Sequence, residues 1–370
     1  MGAISTVAPR SRIGKDTFAM LLQNTERGLY CPAGGFHIDP WQPVDLAIIT
    51  HGHSDHARPG SRQYLTEATG KPILQSRLGM NAPVETLRYD QTVTRNGVKI
   101  SLHPAGHILG SAQVRLEHAG EVCVISGDYK LEADGTCAPF ELVRCHTFVT
   151  ESTFGLPIYR WRPQEEIFRE LNQWWHANQL VNRTSVLFCY ALGKAQRLLA
   201  GLEPRLGPIF LHGAMERFLP AYQAAGINLP AAVKADAQNV KGAGGAGIVL
   251  APDSAANSSW LRKFGDVSTA FASGWMQVRG PRRRRALDRG FVLSDHADWN
   301  GLLQTIRATG AEKIWATHGY TAPLVRYLRE GGWSAETIET QFAGELGEDM
   351  ESGGARPVLE EAVEPPAAES

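Results

Sequence analysis

Residues 50–56 read Thr-His-Gly-His-Ser-Asp-His, three imidazoles and a carboxylate packed into one short segment directly after the apolar run 44–50. A lone histidine is usually a surface residue or a satisfied core residue. H-x-H-x-D-H after a strand is different, because it offers nitrogen and oxygen donors to two sides of one loop, as two adjacent divalent ions require. Four donors cannot complete two coordination shells, so further His and Asp residues must come from other strand ends. His107 in G-H-I-L-G-S, Asp128 in S-G-D-Y and His318 in T-H-G meet that need. Each is flanked by glycine, which lets the backbone turn sharply and approach closely.

The elements that must position these groups are short apolar runs that end in a polar residue. Run 44–50 leads to His51, 122–126 to Asp128, 148–150 to Glu151, 291–293 to Asp295 and His296, and 314–317 to His318. Their length and β-branched content predict buried strands. Several strand ends delivering acids and histidines predict one shared site at a sheet edge. Between 155 and 290 the pattern changes: 163–179 reads as a helix, and 186–190, 209–212, 248–251 and 270–275 as strands. Alternation of helix and strand, with the glycine spacer 242–247, predicts an α/β unit inserted between the strands of the first site.

A chain of 370 residues favours two domains, and 43% hydrophobic with 20% charged residues excludes fibrous and mostly disordered classes. No apolar run reaches transmembrane length, and 1–18 lacks a signal peptide's apolar segment, so a cytoplasmic protein with no membrane partner is expected. The five cysteines form no C-x-x-C pair and are expected to be buried free thiols. Net charge is −1, so a polyanion site must be local. One candidate exists: 279–289 holds six arginines and one acid, whereas 348–370 holds seven acids and one arginine and is expected to be a disordered tail.

Together the motifs resemble the metallo-β-lactamase fold and, within it, the β-CASP nucleases that include RNase J, the polyadenylation endonuclease and Artemis. T-H-G-H-S-D-H, G-H-I-L-G-S-A around His107, S-G-D-Y around Asp128, T-E-S-T-F-G around Glu151, L-S-D-H-A-D around His296 and T-H-G around His318 occur in the family's order. More narrowly, S-G-W-M-Q-V-R-G-P-R-R-R-R before S-D-H-A-D is similar to bacterial exonucleases associated with an ATP-dependent DNA ligase and a helicase. The resemblance implies an α/β protein, an αββα sandwich with an inserted β-CASP domain. Its first part would be 1–154, the insertion 155–290 with the basic run at its end, the second part 291–345, and the acidic tail 346–370.

Carried over residue by residue, the resemblance puts His51, His53 and His107 on one metal and Asp55, His56 and His318 on the other, with Asp128 bridging. Asp39 in F-H-I-D-P would orient the ligand loop by hydrogen bonds. Glu151 and His296 match the family's added pair beside the scissile phosphate, and with Asp55 they make up the set assigned to catalysis. Two divalent ions, zinc first and manganese or iron as alternatives, would lower the pKa of a bridging water so that hydroxide attacks phosphorus in line. His296 would be the general acid toward the leaving oxygen.

Arg279, Arg282, Arg283, Arg284 and Arg285 are expected to bind phosphate, with Lys130 adding a nearby charge. Trp161, Trp174, Trp175 and Trp275 could stack on bases, although the helix-like stretch around Trp174 and Trp175 favours core or interface for those two; Gly193 could present amides to a phosphate, and His212, for which a structural role is the better reading, could touch substrate. The expected function is exonucleolytic hydrolysis of DNA, single strands or ends, in repair. RNA processing is the alternative, since a histidine at the last motif is typical of RNA-processing members. A thioesterase or lactonase would share the metal loop, but the insertion and the Glu151–His296 pair speak against it, and the full ligand set speaks against an inactive scaffold.

Overall fold

A computed structural model describes residues 21–256, 258–278 and 287–342. Arg279, Arg282, Arg283, Arg284, Arg285 and the acidic segment 346–370 lie outside the described residues.

Two sheets form a sandwich. The first has six strands in sequence order, Gln23–Thr25, Gly28–Cys31, Phe36–Ile38, Leu46–Ile48, Gln63–Glu67 and Val84–Leu87. The second runs Ser334–Thr337, Lys313–Gly319, Thr147–Ser152, Glu121–Ile125, Ala112–His118, Val98–Pro104 and Thr92–Arg95. Strand alternation explains the layering. Leu46 and Ile48 point into the core between the sheets, against Ile100, Val114, Ile125 and Val149. Ala47 and Ile49 point the other way, onto Leu74 of the helix Lys71–Leu78. On the far side Val124, Phe148, Ile314 and Ala316 pack beneath the helices Trp299–Thr309 and Thr321–Glu330. The result is four layers, helix, sheet, sheet, helix.

The third sheet is wholly parallel, in the order Val233–Lys234, Ile209–Leu211, Ile248–Ala251, Thr184–Phe188, Val267–Ala272 and Arg289–Phe291. Both faces are covered, as a parallel sheet requires. Leu187, Leu250 and Ala270 pack with the helices Gln164–Leu180 and Lys194–Gly201, and Val186, Val249 and Phe271 with Val240 on the opposite face. Thr147–Ser152 leads into this sheet, and the chain returns from it to Lys313–Gly319, which pairs in parallel with Thr147–Ser152. The third sheet is therefore an insertion between two neighbouring strands of the sandwich. Run 291–293 differs from its expectation: the strand is Arg289–Phe291, and it pairs in the inserted sheet (Ala272 with Phe291) rather than in the sandwich. No helix among the described residues is long and apolar enough to cross a membrane.

Candidate metal centre

His51 lies just beyond Leu46–Ile48, Asp128 just beyond Glu121–Ile125, and Glu151 and His318 near the ends of adjacent parallel strands. His107 comes from the loop between Val98–Pro104 and Ala112–His118, and His296 from the chain leaving the inserted sheet. The register between Thr147–Ser152 and Lys313–Gly319 shifts between Thr150 and Ser152, a bulge of the kind that re-aims a side chain, here Glu151. At Gly127 φ is +57° and an added Cβ would lie 2.7 Å from the Thr50 hydroxyl, so only glycine lets the Asp128 turn close on the ligand loop.

Asp128 occupies the middle. Its Oδ2 lies 3.5 Å from His51 Nε2 and 3.8 Å from both His56 Nε2 and His107 Nε2, and its Oδ1 lies 3.0 Å from His318 Nε2. Donor atoms of His51, His53, His107 and Asp128 form one group within 4.8 Å, and those of His56, Asp128 and His318 form another sharing the same carboxylate. Asp55 stands further back, its Oδ2 3.9 Å from His56 Nε2.

Each ring is turned by a hydrogen bond on its outer nitrogen. His56 Nδ1 donates to Asp39 Oδ2 at 2.8 Å, and His107 Nδ1 donates to the Asp295 carbonyl at 2.8 Å. His53 is reversed, with Nε2 at 3.3 Å from the Leu192 carbonyl and Nδ1 facing His107 Nε2 at 3.2 Å. His51 Nδ1 lies 3.0 Å from the Thr50 hydroxyl, which itself donates to Asp39 Oδ2 at 2.6 Å. His318 repeats the device, with Nδ1 3.0 Å from the Thr317 hydroxyl, which donates to the Thr150 carbonyl at 3.2 Å. Both threonines precede the histidine in a T-H-G triplet. That repeated triplet is the signal by which they could have been found.

The site is deeply buried. Burial, then repulsion from His56 and His53, holds His51 well below the ordinary histidine range, and burial with His296 and His53 does the same for His107, so both are neutral and able to ligate. Burial also opposes charge on His56, but Asp55, Asp128 and Asp39 outweigh it and raise its pKa to about 10, so a metal ion taken at its Nε2 must displace a proton. Asp128 is pushed up by burial and pulled further down by His56, His296 and His318, which holds it ionised. Buried His51 Nε2 and His56 Nε2 have no hydrogen-bond partner among the described residues, although both face the shared carboxylate. Orphaned imidazole nitrogens are costly unless a cation takes them. The donor set fits two divalent ions, His51, His53, His107 and Asp128 around one and His56, Asp128 and His318 around the other, with Asp55 beside the second.

Glu151 accepts from Tyr129 N–H at 2.8 Å through Oε1 and from His296 Nδ1 at 2.8 Å through Oε2. This aligned pair abuts the centre, His296 Nδ1 being 3.9 Å from Asp128 Oδ2. Burial opposes protonation of His296, but Glu151 and Asp128 raise its pKa to about 10. The Trp161 indole donates to the His296 carbonyl at 2.9 Å and fixes the loop from outside.

Other expectations are corrected by burial and bonding. Lys130 is 3% exposed and turned inward, donating to the Ser294 carbonyl at 2.7 Å and paired with Glu132 at 3.1 Å, so it presents no charge to a surface ligand. The Gly193 amide is taken by the Gln196 side chain at 2.7 Å rather than offered to a phosphate. Trp174 and Trp175, by contrast, take the core placement that their helix-like stretch favours, between the inserted sheet and its helices. His212 caps a helical turn by accepting from the Ala214 amide at 3.1 Å. One contributor carried no local signal: the Phe342 ring stacks on His56 at 4.3 Å and meets His318 edge-on at 5.7 Å.

Asp39 ties Thr50 and His56 together with one carboxylate. Loss of such an outer partner weakens metal binding by about 10- to 100-fold. Asp39→Ala is therefore expected to lower affinity by that factor in a chelator competition.

Sheets, inserted unit and paired donor groups sharing a carboxylate at strand ends define a candidate metal centre on the metallo-β-lactamase fold. The chain is 31% identical over 322 residues to a protein named "Probable DNA ligase" from Opitutus terrae, a match covering 86% of this chain and 31% of that protein. It is 34% identical over 206 residues to Endoribonuclease YSH1 of Saccharomyces cerevisiae (43% of this chain, 26% of the relative). Against cleavage and polyadenylation specificity factor subunit 3 of Dictyostelium discoideum it is 32% identical over 201 residues (43% and 25%). The chain thus spans less than a third of the length of these curated relatives. A crystal structure of a protein of unknown function from Enterococcus faecalis V583 shares the fold with a TM-score of 0.56 at 13% identity, covering 79% of this chain and 78% of that one. No protein-family model matches the chain. In its sequence relatives and its buried His/Asp cluster the chain is similar to the β-CASP metallo-β-lactamase nucleases.

Proposed function

We propose that this chain is a metal-dependent nuclease that hydrolyses phosphodiester bonds of DNA, acting on single strands or ends. The observation that carries the reading is the buried Glu151–His296 pair set against Asp128, because phosphodiester cleavage needs a proton donor beside the charge-neutralising centre and simpler ester hydrolysis by the same metal loop does not. When bound, the two ions, with zinc the first candidate, supply Lewis acidity that neutralises phosphoryl oxygens and lowers the pKa of the attacking water.

The chain's own residues do the rest. Glu151 fixes Nδ1 of His296, which leaves Nε2 as the position from which a proton passes to the departing oxygen. Buried Thr50, Thr317 and Asp39 hold the imidazoles so that their inner lone pairs converge on one region. Burial of the whole set excludes bulk water and strengthens each electrostatic contact.

DNA is favoured over RNA because the relative matched over most of this chain is named as a DNA ligase, whereas Endoribonuclease YSH1 and the cleavage and polyadenylation factor each match 43% of it. The same relative supports a role in DNA repair beside ligase activity, supplied by a partner or by a longer chain. RNA is the second reading, favoured by His318 at the last motif and by the similarity to Endoribonuclease YSH1 and to a cleavage and polyadenylation factor. Digestion of end-labelled single- and double-stranded DNA and RNA, side by side with zinc, manganese and iron, tests the assignment. Faster loss of DNA ends supports it, and cleavage confined to RNA overturns the DNA reading.

Arg279 and Arg282 to Arg285 are assigned to the phosphate backbone on charge alone. Neutralising Arg282, Arg283, Arg284 and Arg285 is expected to weaken binding and flatten the salt dependence, the log–log slope falling by about 0.7 for each single-strand phosphate that an arginine no longer neutralises. Fluorescence anisotropy across a salt series reads that slope.

A further inference from the structure

Lys194 is wholly buried, yet nothing in the proposed chemistry uses it. Its Nζ lies 3.0 Å from Asp295 Oδ1, itself buried, and 4.5 Å from the Tyr190 ring centroid. A buried ion pair is retained at a desolvation cost and is by itself weak evidence of stabilisation. What matters here is the company it keeps. The carbonyl of the same Asp295 accepts the Nδ1–H of His107. One residue earlier, the Ser294 carbonyl receives Lys130 Nζ at 2.7 Å and Arg197 Nη1 at 3.2 Å, while the Ser294 hydroxyl accepts from the His296 amide at 3.1 Å. Arg197 also reaches the Gly106 carbonyl, next to His107, at 3.5 Å, and pairs with Asp134.

Three buried cations therefore converge on the turn 294–296, and that turn orients a ligand imidazole on one side and carries His296 on the other. Lys194 opens the helix Lys194–Gly201, and the residue before it is pressed against the loop that carries His107: Gly193 has φ +82°, and a Cβ there would sit 2.1 Å from the Ile108 side chain. The inserted sheet thus reaches the metal centre through this corner.

We propose that Lys194 is a positioning residue: its ion pair with Asp295 sets the carbonyl that aims His107, and through it the insertion controls binding at the His51–His53–His107 group. The inference rests on reading His107 as a ligand. Loss of such outer support lowers metal affinity by about 10- to 100-fold.

The test is a chelator competition with zinc on the full chain, comparing wild type, Lys194→Met, Asp295→Asn and the double variant, with thermal melting as a check on folding. Either single variant is expected to weaken one of the two bound zinc ions by that factor and leave the other unchanged. The double variant loses the same ion pair and no other, so it is expected to be no weaker than the poorer single. Equal weakening of both ions, no weakening, or a double variant as poor as the sum of the singles overturns the proposal. Should Lys194→Met not fold, Asp295→Asn keeps the carbonyl and decides the matter alone. A wild-type chain that binds no zinc would instead refute the metal centre itself, so the two failures are distinct.

Discussion

Asp128→Asn is expected to empty the centre and lower phosphodiester turnover by about a thousandfold or more, because several kcal/mol of Lewis-acid stabilisation leaves with the ions. The substitution is nearly isosteric, so the loss is electrostatic. Asp128 is the carboxylate common to both donor groups, with imidazole nitrogens of His51, His56, His107 and His318 between 3.0 and 3.8 Å from it. Without its charge the four rings lose the one carboxylate they share. Single-turnover rates at saturating metal, with metal content of the same preparations, check the effect. A variant that keeps both ions and most of its rate would show that Asp128 does not bridge.

The second large effect falls on His296. His296→Ala is expected to slow hydrolysis of an ordinary phosphodiester by about 10²- to 10⁴-fold, the usual contribution of a general acid. It should leave a p-nitrophenyl phosphodiester almost untouched, since that leaving group departs without a proton. An equal loss on both substrates would assign His296 to metal support instead.

Glu151→Gln gives a signed companion. Glu151 helps raise the pKa of His296, so removing its charge lowers that pKa. Activity that needs the protonated ring falls as pH rises through the pKa, so the alkaline limb of the rate profile should move to lower pH. A limb that stays in place, or moves up, contradicts the role.

The ligand loop is legible in the sequence because metal chemistry compresses into local spacing: three histidines and an aspartate cannot crowd one turn as a solvated surface without reason. Strand ends at His51, Asp128, Glu151 and His318 are legible for a related cause, since a buried parallel strand leaves an apolar run that stops where the chemistry begins. The α/β insertion follows from alternation of patterns along the chain, and the αββα layering from the family resemblance of the motifs.

What is not legible depends on distance through space. Lys130 reads as a charge beside Asp128, but only the fold shows that the Ser294 turn captures it. Gly193 reads as an amide donor before a helix, yet Gln196 folds back onto it. Phe342 lies 286 residues from His56 in the chain, and no local pattern announces that the two rings stack. Run 291–293 reads as a strand of the sandwich because an apolar strand carries no mark of which sheet it will join.

Elemental analysis of the purified chain, taken with its rate on a labelled oligonucleotide before and after chelation, tests the two-ion centre most directly. Close to two transition-metal ions per chain are predicted, with activity lost on their removal and restored on their return. A metal-free chain that cleaves at the same rate would contradict that centre.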